Sequence, residues 1–343
     1  MNTNWKIFLL PLSFLYSIII FIRNLFYDIR VFGVNRVNVP VISIGNLTAG
    51  GTGKTPVIEY LVNYFKRKNI KVAVISRGYK RNTKGTLVVS DGSSIIAKPE
   101  QAGDEPYQIA VRFQEAVVIV DENRFRGAKL AVEKYKPEVI LLDDSFQHRR
   151  IHRDLDIVLI DVTKPPHKEY MLPAGLRREP LSSLKRTNVL LFTRWDDEIK
   201  FDVSKYKVPV TGKICFVPSR LVKFDNSEII NADELMNKSC TAFCGIGNPD
   251  SFGIILKGLG FKVTSIRIFP DHHYYSTKDL ELIKKDFSSK AEIIVTTEKD
   301  YIRLTEYKDE LTGLPLYYLE ISTRFIEGEG MLDEKLKSLG INS

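Results

Sequence analysis

Cysteine is nearly absent, with only Cys215, Cys240 and Cys244 in 343 residues. A sparse, odd set excludes a disulfide-stapled scaffold and points to a reducing compartment. Cys240 and Cys244 have no second pair to complete a zinc site, so both read as core thiols. His148 and His152 have a helical metal spacing but no suitably placed carboxylate, which excludes that site too. Long like-charge runs are also missing. The 50 Lys and Arg are interleaved with 42 Asp and Glu, for a net charge of +8. That dispersed excess suits anionic small molecules or an acidic surface, and it excludes a basic tract for nucleic acid. There is no internal repeat and no low-complexity segment.

One long apolar run is present, at the start. Ile7–Ile22 reads IFLLPLSFLYSIIIFI, uncharged, with Lys6 before it and Arg23, Arg30 and Arg36 after it. Spanning a bilayer takes about 20 apolar residues, and Pro11 interrupts this shorter run. No small-residue cleavage site follows, as a signal peptide requires. The expectation is a helix lying in or dipping into a membrane surface, its basic flanks meeting acidic headgroups; a buried core helix and a true span are the alternatives.

Behind it, the β-branched runs Val39–Ile44, Val72–Ile75, Val117–Val120, Val139–Leu142 and Ile157–Ile160 predict buried parallel strands. Helical stretches at Pro56–Lys68 and Arg124–Tyr135 alternate with them, the pattern of a sheet covered on both faces. A second block carries predicted strands at Val189–Thr193, Lys213–Val217, Ala242–Cys244, Lys262–Ile268 and Ile293–Thr296, with helices at Pro249–Leu259 and Thr277–Phe287. The proline-rich stretch 163–186 is the expected junction. The predicted organisation is an N-terminal apolar helix over 1–36, a nucleotide-binding core over 37–186 and a smaller α/β domain over 187–343.

GNLTAGGTGKTP, residues 45–56, follows the first strand. It departs from the phosphate-loop pattern G-x-x-x-x-G-K-[ST] only at Thr48, where the pattern has its first glycine. Gly50, Gly51 and Gly53 free the backbone to turn its N–H groups inward, Lys54 suits terminal phosphates, and Thr55 suits magnesium. Thr48, Ala49, Gly50, Gly51, Thr52, Gly53, Lys54 and Thr55 are therefore the predicted nucleotide-binding residues. The strand-end pair Asp143-Asp144 is the predicted metal carboxylate, with Asp161 as competitor; the sequence does not rank Asp143 against Asp144. Thr297-Glu298-Lys299-Asp300 approaches a guanine-reading motif, but its spacing is wrong.

Polar clusters mark other strand ends: SRGY at 76–79, GDEP at 103–106, DDSFQH at 143–148, LPAGLRREP at 172–180, CGIGNP at 244–249, DHH at 271–273 and TTEKD at 296–300. In this order, and with the irregular loop, they resemble the tetraacyldisaccharide 4'-kinase family over nearly the whole chain. Leu176-Arg177 departs from the family's Pro-Leu and leaves two adjacent arginines, so Arg177 competes with Arg178.

The resemblance implies a phosphate-loop α/β fold and transfer of the γ-phosphoryl group of ATP, with Mg2+, to the 4'-hydroxyl of an acylated glucosamine disaccharide 1-phosphate. The place implied is the cytoplasmic face of the bacterial inner membrane, with peripheral or monotopic attachment to the lipid surface. Neither nucleic acid nor an obligate protein partner is expected. By the resemblance, Asp104 is the base and His272 its partner, with His273 the competing histidine, and Lys54 neutralises charge. Glu105, Thr55, Asp143 and Asp144 hold the metal. Asn46, Arg77, Tyr79, Arg124, His148 and Arg178 contact the acidic lipid head or the transferring phosphate. Two other readings remain: an ATPase or kinase for a soluble acceptor, and a non-enzymatic nucleotide-gated membrane adaptor.

Overall fold

The computed structural model describes residues 4–341 apart from Asn226, Asn231, Met236, Asn248, Ser289 and Lys290. The asparagine of CGIGNP thus lies outside the described residues. The chain forms two compact units, one of residues 1–216 with 323–343, the other of 217–322.

In the first unit the strands are β1 (Val41–Asn46), β2 (Val72–Ser76), β3 (Leu87–Asp91), β4 (Val117–Val120), β5 (Val139–Asp143), β6 (Leu155–Asp161), β7 (Val189–Thr193) and the opening of β8 (Val210–Lys223). Their order is β8-β7-β6-β1-β5-β2-β4-β3, parallel throughout except for β3 against β4. The continuous apolar runs resolve into two faces by simple alternation. Ile42, Ile44, Val72, Val74, Leu141 and Ile157 join one core, while Val41, Ala73, Ile75, Ile140 and Leu142 join another. Helix Lys54–Lys66 covers the first face, burying Val57, Ile58, Leu61, Val62 and Phe65 at helical spacing. Helix Arg124–Leu130 covers the second with Ala128. Because β5 and β6 flank β1 on opposite sides, the crevice beyond its carboxyl end is a topological switch point, where open parallel sheets bind ligands.

The expected junction at 163–186 lies inside this unit, since β7 and β8 extend the same sheet. The chain leaves within β8 and returns within β13 (Leu316–Glu327). The last helix, Glu329–Lys337, adds Leu332 and Leu336 to the first core, and Tyr60 and Tyr64 donate to Glu329 (2.8 Å) and Asp333 (2.5 Å). Residues 187–216 and 323–343 thus belong with the phosphate-loop sheet, an assignment that only tertiary pairing and packing make.

The second unit holds the short β9 (Ile229–Ile230), then β10 (Ser239–Cys244), β11 (Lys262–Ile268), β12 (Ile293–Thr297) and the start of β13. Its order is β11-β10-β12-β13, all parallel. Cys240 and Cys244 are buried in its core, and burial pushes their thiols up to about 11 and about 12, consistent with core packing. The strand expected at Lys213–Val217 is the middle of the longer Val210–Lys223, and the remaining expected strands appear within about three residues of their predicted bounds.

The apolar N-terminal run is a helix, Asn4–Asp28, that continues through Pro11. One stripe at i, i+3, i+4 and i+7 spacing faces the unit. Ser13 Oγ donates to the Met171 carbonyl oxygen (3.0 Å), Tyr16 to that of Arg178 (3.0 Å) and Asn24 to Glu179 (3.3 Å). Arg23 donates to the Gln147 carbonyl oxygen, and Arg149 bonds Asp28 (2.7 Å). Phe8, Leu12, Phe14, Leu15, Ile19 and Phe21 on the other sides are more than half exposed.

Candidate active site

Because its strands are parallel, the first unit brings most of its polar clusters to one edge. β1 ends at Asn46, β2 at Ser76, β5 at Asp143 and β6 at Asp161. After β1 the chain turns through Gly50 and Gly53, both with positive φ (117° and 86°). Gly53 is the N-cap of helix Lys54–Lys66, and no side chain caps its first turn. Those N–H groups, with the helix dipole behind them, favour an anion. Pro56 in the first turn removes an N–H that needs no helical partner. A Cβ on Gly53 would run into the ring of Phe216, so glycine is required there for space as well as for backbone angle.

The irregular Thr48 has a structural reason. Thr48 pairs with Arg177, the Ala49 N–H donates to the Leu176 carbonyl oxygen (2.7 Å) and the Arg178 N–H to that of Leu47 (2.7 Å). The LPAGLRREP segment thus lies along the mouth of the loop like a short added strand. Extended pairing suits a β-branched residue better than glycine. Asn46 holds the loop from inside, donating to Thr52 Oγ1 (2.9 Å). Arg194, after β7, donates to the Gly51 carbonyl oxygen (3.0 Å) and pairs with Asp161. Asp161 therefore serves as an anchor for Arg194. Neither Arg194 nor Phe216 was among the expected site residues, and no motif marks them.

Asp143 and Asp144, adjacent in sequence, have different surroundings. Asp144, with positive φ (46°), turns toward the cations. Lys54 Nζ lies 3.5 Å from it, and Arg178 bonds both its oxygens at 3.0 and 2.9 Å. Burial works to raise its pKa, but Lys54 and Arg178 outweigh it and hold the carboxyl below its usual range. Asp143 is buried. Ser76 Oγ donates to its Oδ2 (2.7 Å), while Oδ1 has no hydrogen-bond partner. Burial, then the nearby Glu105 and Asp144 charges, push its pKa up to about 6.

The remaining residues frame this pair. Arg124 is buried and donates to the carbonyl oxygens of Asp121 (2.9 Å) and Asp143 (3.2 Å). His148 Nε2 donates to the Glu122 carbonyl oxygen (2.9 Å), and burial lowers its pKa. Asp104 and Glu105 open helix Asp104–Arg112 behind Gly103, whose φ of 89° and closeness to the Tyr79 carbonyl oxygen admit no side chain. GDEP therefore sits directly on SRGY, with Arg77 and Tyr79 exposed beside it. Thr52 and Thr55 are buried in the loop.

His272 belongs to the second unit. β10, β11 and β12 end there at CGIG, DHH and TTEKD. His273 stacks on Phe269 with ring centroids 4.8 Å apart, and its Nε2 lies 3.1 Å from Asp279.

A parallel sheet ending in a lysine-bearing glycine loop, with a strand-end carboxylate pair beside it, defines a phosphate-loop nucleotide-binding α/β protein. Residues 5–340 match the family model of the tetraacyldisaccharide-1-P 4'-kinase. Similar curated proteins include the tetraacyldisaccharide 4'-kinases of Chlorobium limicola (38% identical, 96% of each chain) and Aquifex aeolicus (41%, 88% of this chain and 90% of that one). The crystal structure of Aquifex aeolicus LpxK in complex with ATP superposes with a TM-score of 0.82 at 36% identity, over 98% of this chain and 99% of that one. The chain belongs to the tetraacyldisaccharide 4'-kinase family.

Proposed function

We propose that the protein transfers the γ-phosphoryl group of ATP to the 4'-hydroxyl of a tetraacylated glucosamine disaccharide 1-phosphate at the cytoplasmic face of the inner membrane. The observation carrying this reading is the joint placement of Lys54, Arg178 and the Asp143-Asp144 pair around the glycine loop in a chain of this family.

The reaction forms a bond from the 4'-oxygen to γ-phosphorus, breaks the bond to the bridging oxygen and releases ADP. Catalysis of this kind rests on positioning and charge neutralisation. The loop N–H groups and Lys54 hold the phosphate chain. Asp144 orients Lys54 and Arg178 toward it. Asp104 takes the acceptor proton, with Arg77, Tyr79 and His148 on the sugar phosphate side; Asn46 and Arg124 keep the loop and the end of β5 in place. The resemblance also assigns His272 a part in the transfer.

Bound magnesium would supply positive charge to neutralise the phosphate chain, with Asp143, Thr55 and Glu105 as the residues that would hold it. The residues fit it. Asp143 is a buried carboxylate with one oxygen unpartnered and the Glu105 charge nearby, and Thr55 is buried in the loop. Among the described residues no three acidic, His or Cys side chains form a cage, which suits an ion held by one or two carboxylates plus phosphates. Asp143 is the metal carboxylate in this reading, and Asp144 the orienter.

The N-terminal helix supports membrane attachment lying on the surface. Residues Lys6–Asp28 have the length and apolarity to cross a bilayer. However, the helix is bonded to its own unit from Ser13 to Asp28, about 22 Å of its length. A helix held along one side is suited to interfacial insertion, its exposed phenylalanines and leucines in the acyl region. The soluble-acceptor reading needs this helix as core, and its exposure runs against that.

Purified protein with ATP, magnesium and the disaccharide 1-phosphate in detergent micelles should yield a bisphosphate. Lys54→Ala and Asp104→Ala should each lose roughly 10²–10⁴ in turnover, Asp104→Ala while still binding ATP. Absence of product from the parent protein would sink the reading.

A further inference from the structure

The TTEKD and CGIG clusters take no part in the chemistry above, yet they build a densely bonded, buried polar network in the second unit. Asp300, fully buried, accepts from the Gly245 N–H (3.0 Å), Tyr275 (3.0 Å) and Thr297 (2.6 Å). Burial and the Asp300 charge hold the Tyr275 hydroxyl far above its usual pKa, so it is the donor. Arg303, one helical turn beyond Asp300 and itself buried, lies 3.2 Å from the Asp300 carboxylate and donates to the Gly245 carbonyl oxygen (2.9 Å). Its other terminal nitrogen lies 3.3 Å from His272 Nδ1. His272 is held from its backbone as well, with φ 62° and its N–H on the same Gly245 carbonyl oxygen (3.2 Å). A left-handed conformation at a non-glycine residue persists only where its surroundings impose it.

A guanidinium has donors and no acceptor. The atom facing it must therefore present a lone pair, so Nδ1 of His272 is unprotonated and the neutral ring carries its proton on Nε2. We infer that Arg303 is a positioning residue that fixes His272 as the Nε2–H tautomer, so that the imidazole works as a hydrogen-bond donor and not as a proton acceptor. Asp300, Tyr275 and Gly245 hold Arg303 in place. The contrast with His273 follows: its ring is committed to Phe269 and Asp279. The catalytic half of the inference rests on the proposed participation of His272 in transfer. It narrows that part: Asp104 takes the proton, and His272 donates a hydrogen bond through Nε2.

The tautomer is readable without turnover. In the full-length protein with ¹⁵N-labelled histidine, the ring nitrogens of His272 are assigned by their loss in His272→Gln. At about pH 7.5 the expected spectrum shows a protonated Nε2 and an unprotonated Nδ1. Protonation of Nδ1, as the other tautomer or as imidazolium, overturns the inference. In kinetics, His272→Gln retains a donor near the Nε2 position and should exceed His272→Asn by about tenfold in kcat, with KM for ATP unchanged in both. Arg303→Met should lower kcat by about tenfold, and Arg303→Lys should restore part of it. Asn equal to or better than Gln overturns the donor role. If Gln, Asn and Ala at position 272 all keep wild-type kcat while the spectrum shows Nε2–H, participation of His272 in transfer is overturned and the tautomer stands.

Discussion

The two units use their motif residues differently. In the first, adjacent clusters each bring a separate charge or donor to one sheet edge: Lys54, the Asp143-Asp144 pair, Arg178 and Asp104. In the second, three clusters from three strand ends converge on the seating of one imidazole. Distributed charge suits a site that must hold a polyanion, because electrostatic neutralisation needs several groups at once. Orientation of a single ring needs rigid bonding from several sides.

That contrast predicts unequal consequences. Asp143→Asn strikes the first unit hardest. Turnover should fall by roughly 10²–10³ through loss of the metal carboxylate, while the protein without magnesium becomes more stable. The carboxyl's pKa is raised from 3.8 to about 6 in the folded state. Its contribution to stability is therefore full below about 4 and is lost as pH rises to about 6. Denaturant titrations at about pH 7.5 should show the variant more stable than its parent by roughly 1–3 kcal/mol, the gap closing toward pH 4. An Asp143→Asn variant less stable than its parent at neutral pH would show that burial does not hold the Asp143 carboxyl above its usual pKa.

Asp300→Asn in the second unit should have an intermediate effect. It replaces a fully buried charge surrounded by donors, so stability should fall by about 2–4 kcal/mol. Turnover should fall about tenfold, with KM for ATP unchanged. A large rise in KM for ATP would break the division of labour between the units. His273→Ala should act least on chemistry, leaving kcat within about threefold while lowering stability by about 1–2 kcal/mol through the lost stacking and hydrogen bond. A hundredfold loss of kcat there would exchange the roles of His272 and His273.

Much of the first unit was legible because its chemistry is contiguous. Strand, glycine turn, Lys54 and helix follow one another within about thirty residues, and each is recognisable from local backbone demands. Its edges were not legible. β3 is short, half-buried and closed by an antiparallel pairing, and β13 begins in one unit and ends in the other. The proline-rich stretch 163–186 read as a linker because prolines break regular structure. Its LPAGLRREP end instead pairs with the phosphate loop.

Residue order alone marked the nucleotide loop, the strand-end carboxylates, the alternation of strands and helices and the ordered clusters of the family. These depend on residue type and near-neighbour spacing. Tertiary structure alone made Asp144 a partner of Arg178, 34 residues away, and left Asp143 buried with an open oxygen. It also filled the place of the missing glycine at Thr48 with a segment more than a hundred residues further along the chain. Burial and partner choice arise from which distant segments meet, and no local pattern encodes that meeting.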